Sequence, residues 1–365
     1  MEKIVTIVGA RPQFIKVAPV SRALRQSFRE VIVNTGQHYD FNMAGQFFDE
    51  LEIPRPDYDL EVGSHSHGKQ TGLMLQAIEE VLLQEKPDGV IVYGDTNSTL
   101  AGALAASKLH IPLFHVEAGL RSYNKAMPEE INRVLTDHVS DLLFAPTETA
   151  VKNLERESIA DPVRLCGDVM YDAVVYNREI AGRRYGPERY GVERKAYYLC
   201  TIHRAENTDR PERLGAIIDS LIRLEAPVLL PLHPRTQKVL RELGRLDVLA
   251  RHDHIRLIEP VSYMEMLALE TEAAAIVTDS GGVQKEAYFA RVPCFTLRDE
   301  TEWMETVEAG WNKLIDPLRM DLKSEIERLE IAAYQDRLYG DGRASEKIVG
   351  AIQAYYHSKV SECWF

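Results

Sequence analysis

The stretch Val90–Glu117, VIVYGDTNSTLAGALAASKLHIPLFHVE, decides the fold. Its two ends, Val90–Tyr93 and Leu113–Val116, are short, β-branched, apolar runs of the kind that form buried strands. Between them Thr99–Leu109, rich in Ala and Leu, predicts a helix. A strand, a helix and a second apolar strand in succession make a parallel βαβ unit, because the helix returns the chain to the start of the sheet. The pattern extends in both directions. Strands are expected at Ile4–Val8, Val31–Asn34 and Leu142–Ala145, and helices at Lys16–Gln26, Thr71–Gln84 and Glu130–Val139. A second series follows, with strands at Tyr197–Ile202, Val228–Leu230, Ile255–Ile258, Ala275–Thr278 and Cys294–Leu297, each flanked by amphipathic helices. Between the series, Ile180–Lys195 (IAGRRYGPERYGVERK) is charged, holds three Gly and one Pro and shows little apolar periodicity, as linkers do. The expected organisation is an α/β protein with two doubly wound domains, residues 1–179 and 196–343, joined by linker 180–195. A final helix begins at Ala344.

Composition fits this picture. A chain of 365 residues suits two domains, and 45% hydrophobic with 27% charged residues is ordinary for packed globular cores. Lys and Arg number 43 against 56 Asp and Glu, a formal charge of −13, which opposes general affinity for nucleic acid or anionic membrane. Any anionic ligand must therefore be held by a local cluster of donors. Cys166, Cys200, Cys294 and Cys363 are far apart, with no CxxC and no His at zinc-finger spacing, as expected in a reducing compartment. No segment approaches the roughly 18 apolar residues of a membrane span. The expectation is a cytoplasmic protein with no membrane partner.

Open parallel sheets bind ligands outside the carboxyl ends of their strands. Arg11 and Lys16 follow the first strand, Asp95 follows Val90–Tyr93, and Glu117 follows Leu113–Val116. In the second series the strand ends carry His203, His233 and the run Thr278-Asp279-Ser280-Gly281-Gly282. That run leads from a strand into a helix, so its unpaired N–H groups and small residues suit a phosphate. Arg11 and Lys16 supply the cations a diphosphate needs. Glu286, one turn into the helix, suits ribose hydroxyls. Asp95 and Glu117, with Glu129 and Glu130, read as a carboxylate cluster able to divide acid and base roles. The residues alone leave a second reading open, since Pro128 followed by two glutamates also suits a helix N-terminus, and Glu129 with Arg133 is an i,i+4 pair. GxGxxG, GxxxxGK[ST] and HExxH are absent, which argues against a dinucleotide dehydrogenase, a P-loop kinase and that class of zinc hydrolase. His65 and His67 read as polar loop residues rather than metal ligands.

Nine strings in order carry a resemblance. VGARPQFIK (Val8–Lys16), TGQHYD (Thr35–Asp40), GDTNSTL (Gly94–Leu100), HVEAGLRS (His115–Ser122), MPEEINR (Met127–Arg133), GDVMYD (Gly167–Asp172), HRAENTD (His203–Asp209), LPLHPRT (Leu230–Thr236) and TDSGGVQKEA (Thr278–Ala287) resemble the non-hydrolysing UDP-N-acetylglucosamine 2-epimerases. The resemblance implies a glycosyltransferase-B-like architecture of two Rossmann-like domains with the active site in the interdomain cleft. It also implies that the final helix, 344–365, joins the first domain. The implied reaction needs no cofactor and no metal: UDP is eliminated from the sugar to give a 2-acetamidoglucal and then re-added. By matching motifs, Asp95, Glu117, Glu129 and His203 form the implied catalytic set, supported by Arg133. Arg11, Lys16, Ser280, Gly281 and Gly282 become phosphate contacts, Glu286 a ribose contact, and His233 a residue near the nucleotide. A homodimer is the family expectation.

The sequence departs from the commonest branch at two places. Thr301-Glu302-Trp303-Met304-Glu305 stands where many members read Thr-Glu-Arg-Pro-Glu, and Gln13-Phe14 where Glu-Ala is common. Both look closer to members acting on UDP-2,3-diacetamido-2,3-dideoxy-glucuronate. A hydrolysing relative, a glycosyltransferase of the same fold and a nucleotide-sugar sensor are the remaining alternatives.

Overall fold

A computed structural model describes residues 1–37 and 47–362. His38 to Asp40 of the TGQHYD string, and Cys363, lie outside the described residues. The chain divides into two compact units, one built from Met1–Ala173 with the chain from Asp336 onward, the other from Val174–Gln335.

The first unit holds seven strands: β1 (Lys3–Val8), β2 (Arg29–Asn34), β3 (Tyr58–Asp59), β4 (Gly89–Tyr93), β5 (Leu113–Val116), β6 (Leu142–Ala145) and β7 (Val163–Leu165). They lie in the order β3-β2-β1-β4-β5-β6-β7, every pair parallel. The second unit holds β8 (Tyr198–Thr201), β9 (Val228–Pro231), β10 (Ile255–Ile258), β11 (Ala275–Thr278), β12 (Cys294–Thr296) and β13 (Asn312–Leu314) in the order β10-β9-β8-β11-β12-β13, again parallel throughout. In both sheets the strand order reverses once, between β1 and β4 and between β8 and β11. Those two crevices are where a doubly wound sheet binds ligands.

Both sheets are covered on both faces, so the central strands are apolar without alternation. In the first unit Val5, Ile7, Val31, Val33, Val90 and Val92 pack on Met74, Ile78 and Leu82 and on the Ala-rich helix Asn97–Lys108. That helix needs small residues because it lies close to the sheet: a Cβ on Gly102 would stand 2.7 Å from Ile7 Cδ1. In the second unit Cys200, Val228, Leu230 and Val277 pack on Leu214, Ile217 and Leu221. Burial pushes the Cys200 thiol well above its ordinary value and the Cys294 thiol up to about 12, so both stay protonated core residues.

Several expected boundaries move. The first helix starts at Arg11, five residues before the apolar pattern suggests, because Pro12 is pre-set for a first turn and the Gln13 Oε1 accepts from Gly9 N (2.9 Å) and Ala10 N (3.0 Å). Strands β3, β7 and β13 are two or three residues long and sit at sheet edges, too short to show periodicity. The segment 180–195 carries the last turn of the helix Val169–Arg184 and a 3₁₀ turn at Pro187–Tyr190, and Val192 is buried in the second core. The chain passes from one unit to the other inside that helix, at Ala173 and Val174.

The final helix, Ala344–Glu362, belongs to the first unit. Asp172 accepts from Ala344 N (3.0 Å), Ser345 N (2.8 Å) and Ser345 Oγ (2.7 Å), satisfying its N-terminus. Further along, Gln353 Nε2 donates to Ser27 Oγ and Tyr356 OH to the Asp88 carbonyl, while Tyr355 packs edge-on against Phe114.

Candidate functional site

The first unit's carboxyl edge is a dense polar network built around bare backbone. Gly9, after β1, leaves no room for a side chain: a Cβ would meet Thr35 Oγ1 at 1.9 Å and Ser98 Oγ at 2.3 Å, two hydroxyls hydrogen-bonded to each other at 2.7 Å. Gln13 is buried, and besides holding the β1 turn it donates through Nε2 to the Tyr93 carbonyl and Thr99 Oγ1, both at 3.0 Å. It thereby ties the exit of β1 to that of β4. Arg11 is exposed with its guanidinium 4.8 Å over the Phe47 ring.

Lys16, expected at the diphosphate, is engaged with Glu117; their side chains form a buried ion pair, 9% and 5% exposed. The pair lies over Gly94, whose notional Cβ would be 3.0 Å from Lys16 Nζ and 3.1 Å from Glu117 Oε2. Glu117 itself has φ +71, a left-handed backbone that a glutamate adopts only when its surroundings impose it. The imposing contact is with β6: Glu117 N and Ala118 N both donate to the Phe144 carbonyl at 3.1 Å. Position and backbone of this carboxylate are both fixed before any ligand arrives.

Beneath Glu117 runs a second charge network, buried at its centre. His115 on β5 lies 2.7 Å through Nδ1 from Asp137 Oδ1 and 2.8 Å through Nε2 from the Gly94 carbonyl. Asp137 Oδ2 accepts from Gly119 N (3.1 Å) and Arg121 Nη1 (2.7 Å), and Arg121 reaches on to Glu157. Burial works against the Asp137 charge, but His115 and Arg121 outweigh it and hold the carboxyl below the usual range. Through this network the residues on both sides of Glu117 are tied to one buried carboxylate.

The expected carboxylate cluster separates into distinct roles. Asp95 pairs with Arg133 Nη2, and its carbonyl accepts from Asn132 Nδ2 at 2.9 Å. Glu130 is buried and accepts from Ser122 N, Ser122 Oγ, Tyr123 N and Arg133 Nη1 at 2.8–3.0 Å, so it pins the loop rather than facing a substrate. Glu129, its neighbour, is exposed. His67 Nδ1 lies 3.1 Å from Asn97 Nδ2, and among the described residues no group of three His, Cys, Asp or Glu gathers to hold a metal ion.

In the second unit, β8 and β11 end side by side, their last residues joined by Thr201 Oγ1 and Thr278 Oγ1 at 2.6 Å. Ser280 caps the helix Gly281–Phe289, with Gly281 and Gly282 as its first two residues, so donors and the positive helix end point out of the β11 crevice. Glu286 is buried one turn along. The fully buried Asp279 receives His203 N (3.1 and 3.0 Å), Arg204 N (3.0 Å) and Asn207 Nδ2 (3.1 Å), and His203 Nδ1 lies 3.2 Å from its Oδ1. The His203 ring stands 5.7 Å from that of His233, which caps the helix Pro234–Glu242. Glu302 lies against Gly281; burial pushes its carboxyl up, but Arg298 (2.9 Å) and Arg204 (4.0 Å) prevail and hold it low. Trp303, where an arginine is common, places its ring 3.8 Å under the buried Lys285 ammonium.

Sequence reasoning missed three of these residues. From sequence Asp279 reads only as part of a phosphate turn, His115 as a strand residue, and Gln13 as a departure from a pattern. Asp279 and His203 become partners once β8 and β11 are known to be neighbours, and strand order is the signal that a single sequence lacks.

The family model described as UDP-N-acetylglucosamine 2-epimerase matches residues 22–353. A Methanococcus maripaludis UDP-N-acetylglucosamine 2-epimerase homolog is 53% identical over 355 residues, covering 96% of this chain and 99% of its own. The Pseudomonas aeruginosa UDP-2,3-diacetamido-2,3-dideoxy-D-glucuronate 2-epimerase is 50% identical, covering 95% and 98%. Among solved structures, Methanocaldococcus jannaschii UDP-GlcNAc 2-epimerase in complex with UDP-GlcNAc and UDP superposes with a TM-score of 0.88 at 45% identity, covering 96% and 99%. Two parallel Rossmann-like sheets of this kind define the glycosyltransferase-B-like class of nucleotide-sugar enzymes. Within it, the chain belongs to the UDP-N-acetylglucosamine 2-epimerase family, whose members are isomerases.

Proposed function

We propose that this protein is a non-hydrolysing UDP-N-acetylglucosamine 2-epimerase that interconverts UDP-N-acetylglucosamine and UDP-N-acetylmannosamine. The observation that carries the reading from family to chemistry is the buried Lys16–Glu117 pair over Gly94, a carboxylate of fixed position at the carboxyl edge of the first sheet. In the proposed reaction a group of the first unit takes the proton from C2 of the sugar. The C2–H electrons form the C1=C2 double bond of a 2-acetamidoglucal, and the C1–O bond breaks with its electrons leaving on the β-phosphate of UDP. Re-addition of UDP, with the proton delivered to the other face of C2, gives the epimer. The cycle balances without oxidant or reductant.

Asp95, Glu117, Glu129 and His203 form the proposed catalytic set, with Arg133 holding Asp95. The C2 proton is weakly acidic, so fixed geometry and stabilisation of the leaving diphosphate must carry the rate. Residues 1–179 with the final helix supply the carboxylates in this reading, and residues 196–343 bind UDP. The helix N-terminus at Ser280, Gly281 and Gly282 takes phosphate oxygens, with Arg11 a further cation, Glu286 on the ribose and His233 near the nucleotide. Lys16 serves Glu117 in the resting protein. Among the described residues no helix is long and apolar enough to cross a membrane; the reading extends to a cytoplasmic homodimer, which sedimentation would test.

The relative at 50% identity, together with Trp303 and Gln13, favours one second reading, C2 epimerisation of UDP-2,3-diacetamido-2,3-dideoxy-glucuronate. Both nucleotide sugars offered to the purified protein separate the two. A higher kcat/KM on UDP-N-acetylglucosamine supports the first reading, and a hundredfold preference for the diacetamido sugar replaces it with the second.

A further inference from the structure

We propose that Asp279 is a positioning residue for His203: its carboxylate holds the Nδ1–H of the imidazole and so presents Nε2 to the reacting sugar nucleotide. The proposal rests on the epimerase reading above and names how its imidazole is set.

The geometry is local to the switch point of the second sheet. β8 and β11 are paired in register, Thr201 opposite Thr278, so the residues just beyond them emerge together. Asp279 is the first residue after β11 and is completely buried, while the His203 side chain is 39% exposed. A carboxylate buried so fully is tolerable only with several donors. Three are supplied by His203 N, Arg204 N and Asn207 Nδ2 at 3.0–3.1 Å. The ring nitrogen Nδ1, at 3.2 Å from Oδ1, is the fourth group turned to it.

A carboxylate facing Nδ1 fixes the tautomer with hydrogen there, because the carboxylate only accepts. The other nitrogen then exchanges protons, and the nearby negative charge stabilises the imidazolium when one is taken up. The titratable groups seen near the ring include Asp279 from the β11 end and His233 from the β9 end, whose ring is 5.7 Å away, and Arg204 donates its backbone N–H to the same Asp279 carboxylate. Asp279 directly precedes Ser280, but its carboxylate takes its hydrogen bonds from His203, Arg204 and Asn207, while Ser280 itself caps the anion-binding helix. This arrangement explains why an aspartate, rather than an asparagine able to hold the backbone N–H groups alone, occupies the position.

The test pairs two readouts. First, ring-nitrogen NMR of the ¹⁵N-histidine-labelled wild-type protein, with His203 assigned by the loss of its signals in His203→Gln, is expected to show a protonated Nδ1 in the neutral ring. A protonated Nε2 with a bare Nδ1 overturns the proposal, whatever the enzyme's substrate proves to be. Second, Asp279→Asn, checked for folding by circular dichroism, is expected to lower kcat by about 10²–10⁴-fold. Its calorimetric Kd for UDP should stay within threefold, with the limb of the pH–rate profile belonging to His203 displaced. The double variant with His203→Gln should be little slower than either single variant, since the two residues act as one unit. A variant whose UDP affinity falls in step with kcat, with an unmoved pH profile, shows Asp279 to be only an anchor of the turn and overturns the proposal. Wild-type protein inactive on both UDP-sugars rejects the epimerase reading instead, and the NMR result then still decides the tautomer.

Discussion

Asp137→Asn is the perturbation whose magnitude the structure sets most clearly. The Asp137 side chain is wholly inaccessible and is the shared counter-charge of two buried groups, Arg121 Nη1 and His115 Nδ1, each 2.7 Å away, while its Oδ2 also receives Gly119 N. An asparagine keeps the size and one acceptor oxygen but removes the charge. Breaking a buried ion pair from one side costs about 3–5 kcal/mol, because the remaining charge is left uncompensated. For a unit in the ~150–250-residue class each kcal/mol lowers Tm by about 2–4 °C, so the expected loss is roughly 6–20 °C. Differential scanning calorimetry at pH 7 reads it directly. The dependence on pH has a definite sign. Asp137 is held below its ordinary value in the folded state, so its contribution is fully present above the unfolded-state value of about 3.9 and is lost as pH falls through the lower folded value. The share of the gap between wild type and variant that comes from the Asp137 charge itself therefore narrows only below about pH 4. Because Gly94 and Gly119, on either side of Glu117, are tied to this carboxylate through His115 and directly, the variant also loses kcat. A Tm within 2 °C of wild type, or a gap that widens in acid, refutes the reasoning.

Two further outcomes follow from individual contacts. Trp303→Arg sets a second cation against the buried Lys285 in place of a ring 3.8 Å away, and should cost at least about 2 kcal/mol in a denaturant melt; an unchanged midpoint would show that the ring does not support the ammonium. Glu129→Gln and Glu130→Gln should separate cleanly: the exposed Glu129 variant loses turnover at unchanged Tm, whereas the Glu130 variant, robbed of an acceptor for four donors, loses about 1–3 kcal/mol of stability. The reverse pattern would exchange their roles.

How much of this was legible beforehand depends on the length scale of each feature. The internal strands β1, β2, β4, β5, β6, β8, β9, β11 and β12 read clearly, because burial on both faces leaves runs of apolar residues that local sequence displays. The edge strands β3, β7 and β13 did not, since two or three residues such as Val163–Leu165 carry no period and take their conformation from the neighbouring strand. The start of the first helix was misplaced because the decisive interaction, Gln13 folding back on Gly9 and Ala10, is polar and leaves no hydrophobic trace. At the site, strand-end position alone picked out Asp95, Glu117, His203 and the Ser280 turn. It could not distinguish Glu130 from Glu129, because which glutamate is buried depends on how the loop Ser122–Tyr123 returns over the helix. Nor could it pair Lys16 with Glu117 or His203 with Asp279, contacts that span 101 and 76 residues and exist only through sheet order.

The central claim is C2 epimerisation through elimination, and its most direct measurement is proton NMR of the purified protein with UDP-N-acetylglucosamine in D₂O. Deuterium at C2 in an equilibrating pair of UDP-sugars is expected, with UDP-N-acetylmannosamine appearing and no build-up of free sugar. Free N-acetylmannosamine accumulating with UDP would make the protein a hydrolysing relative, and a C2 proton that never exchanges, in this sugar or in the diacetamido-glucuronate nucleotide, would contradict the account.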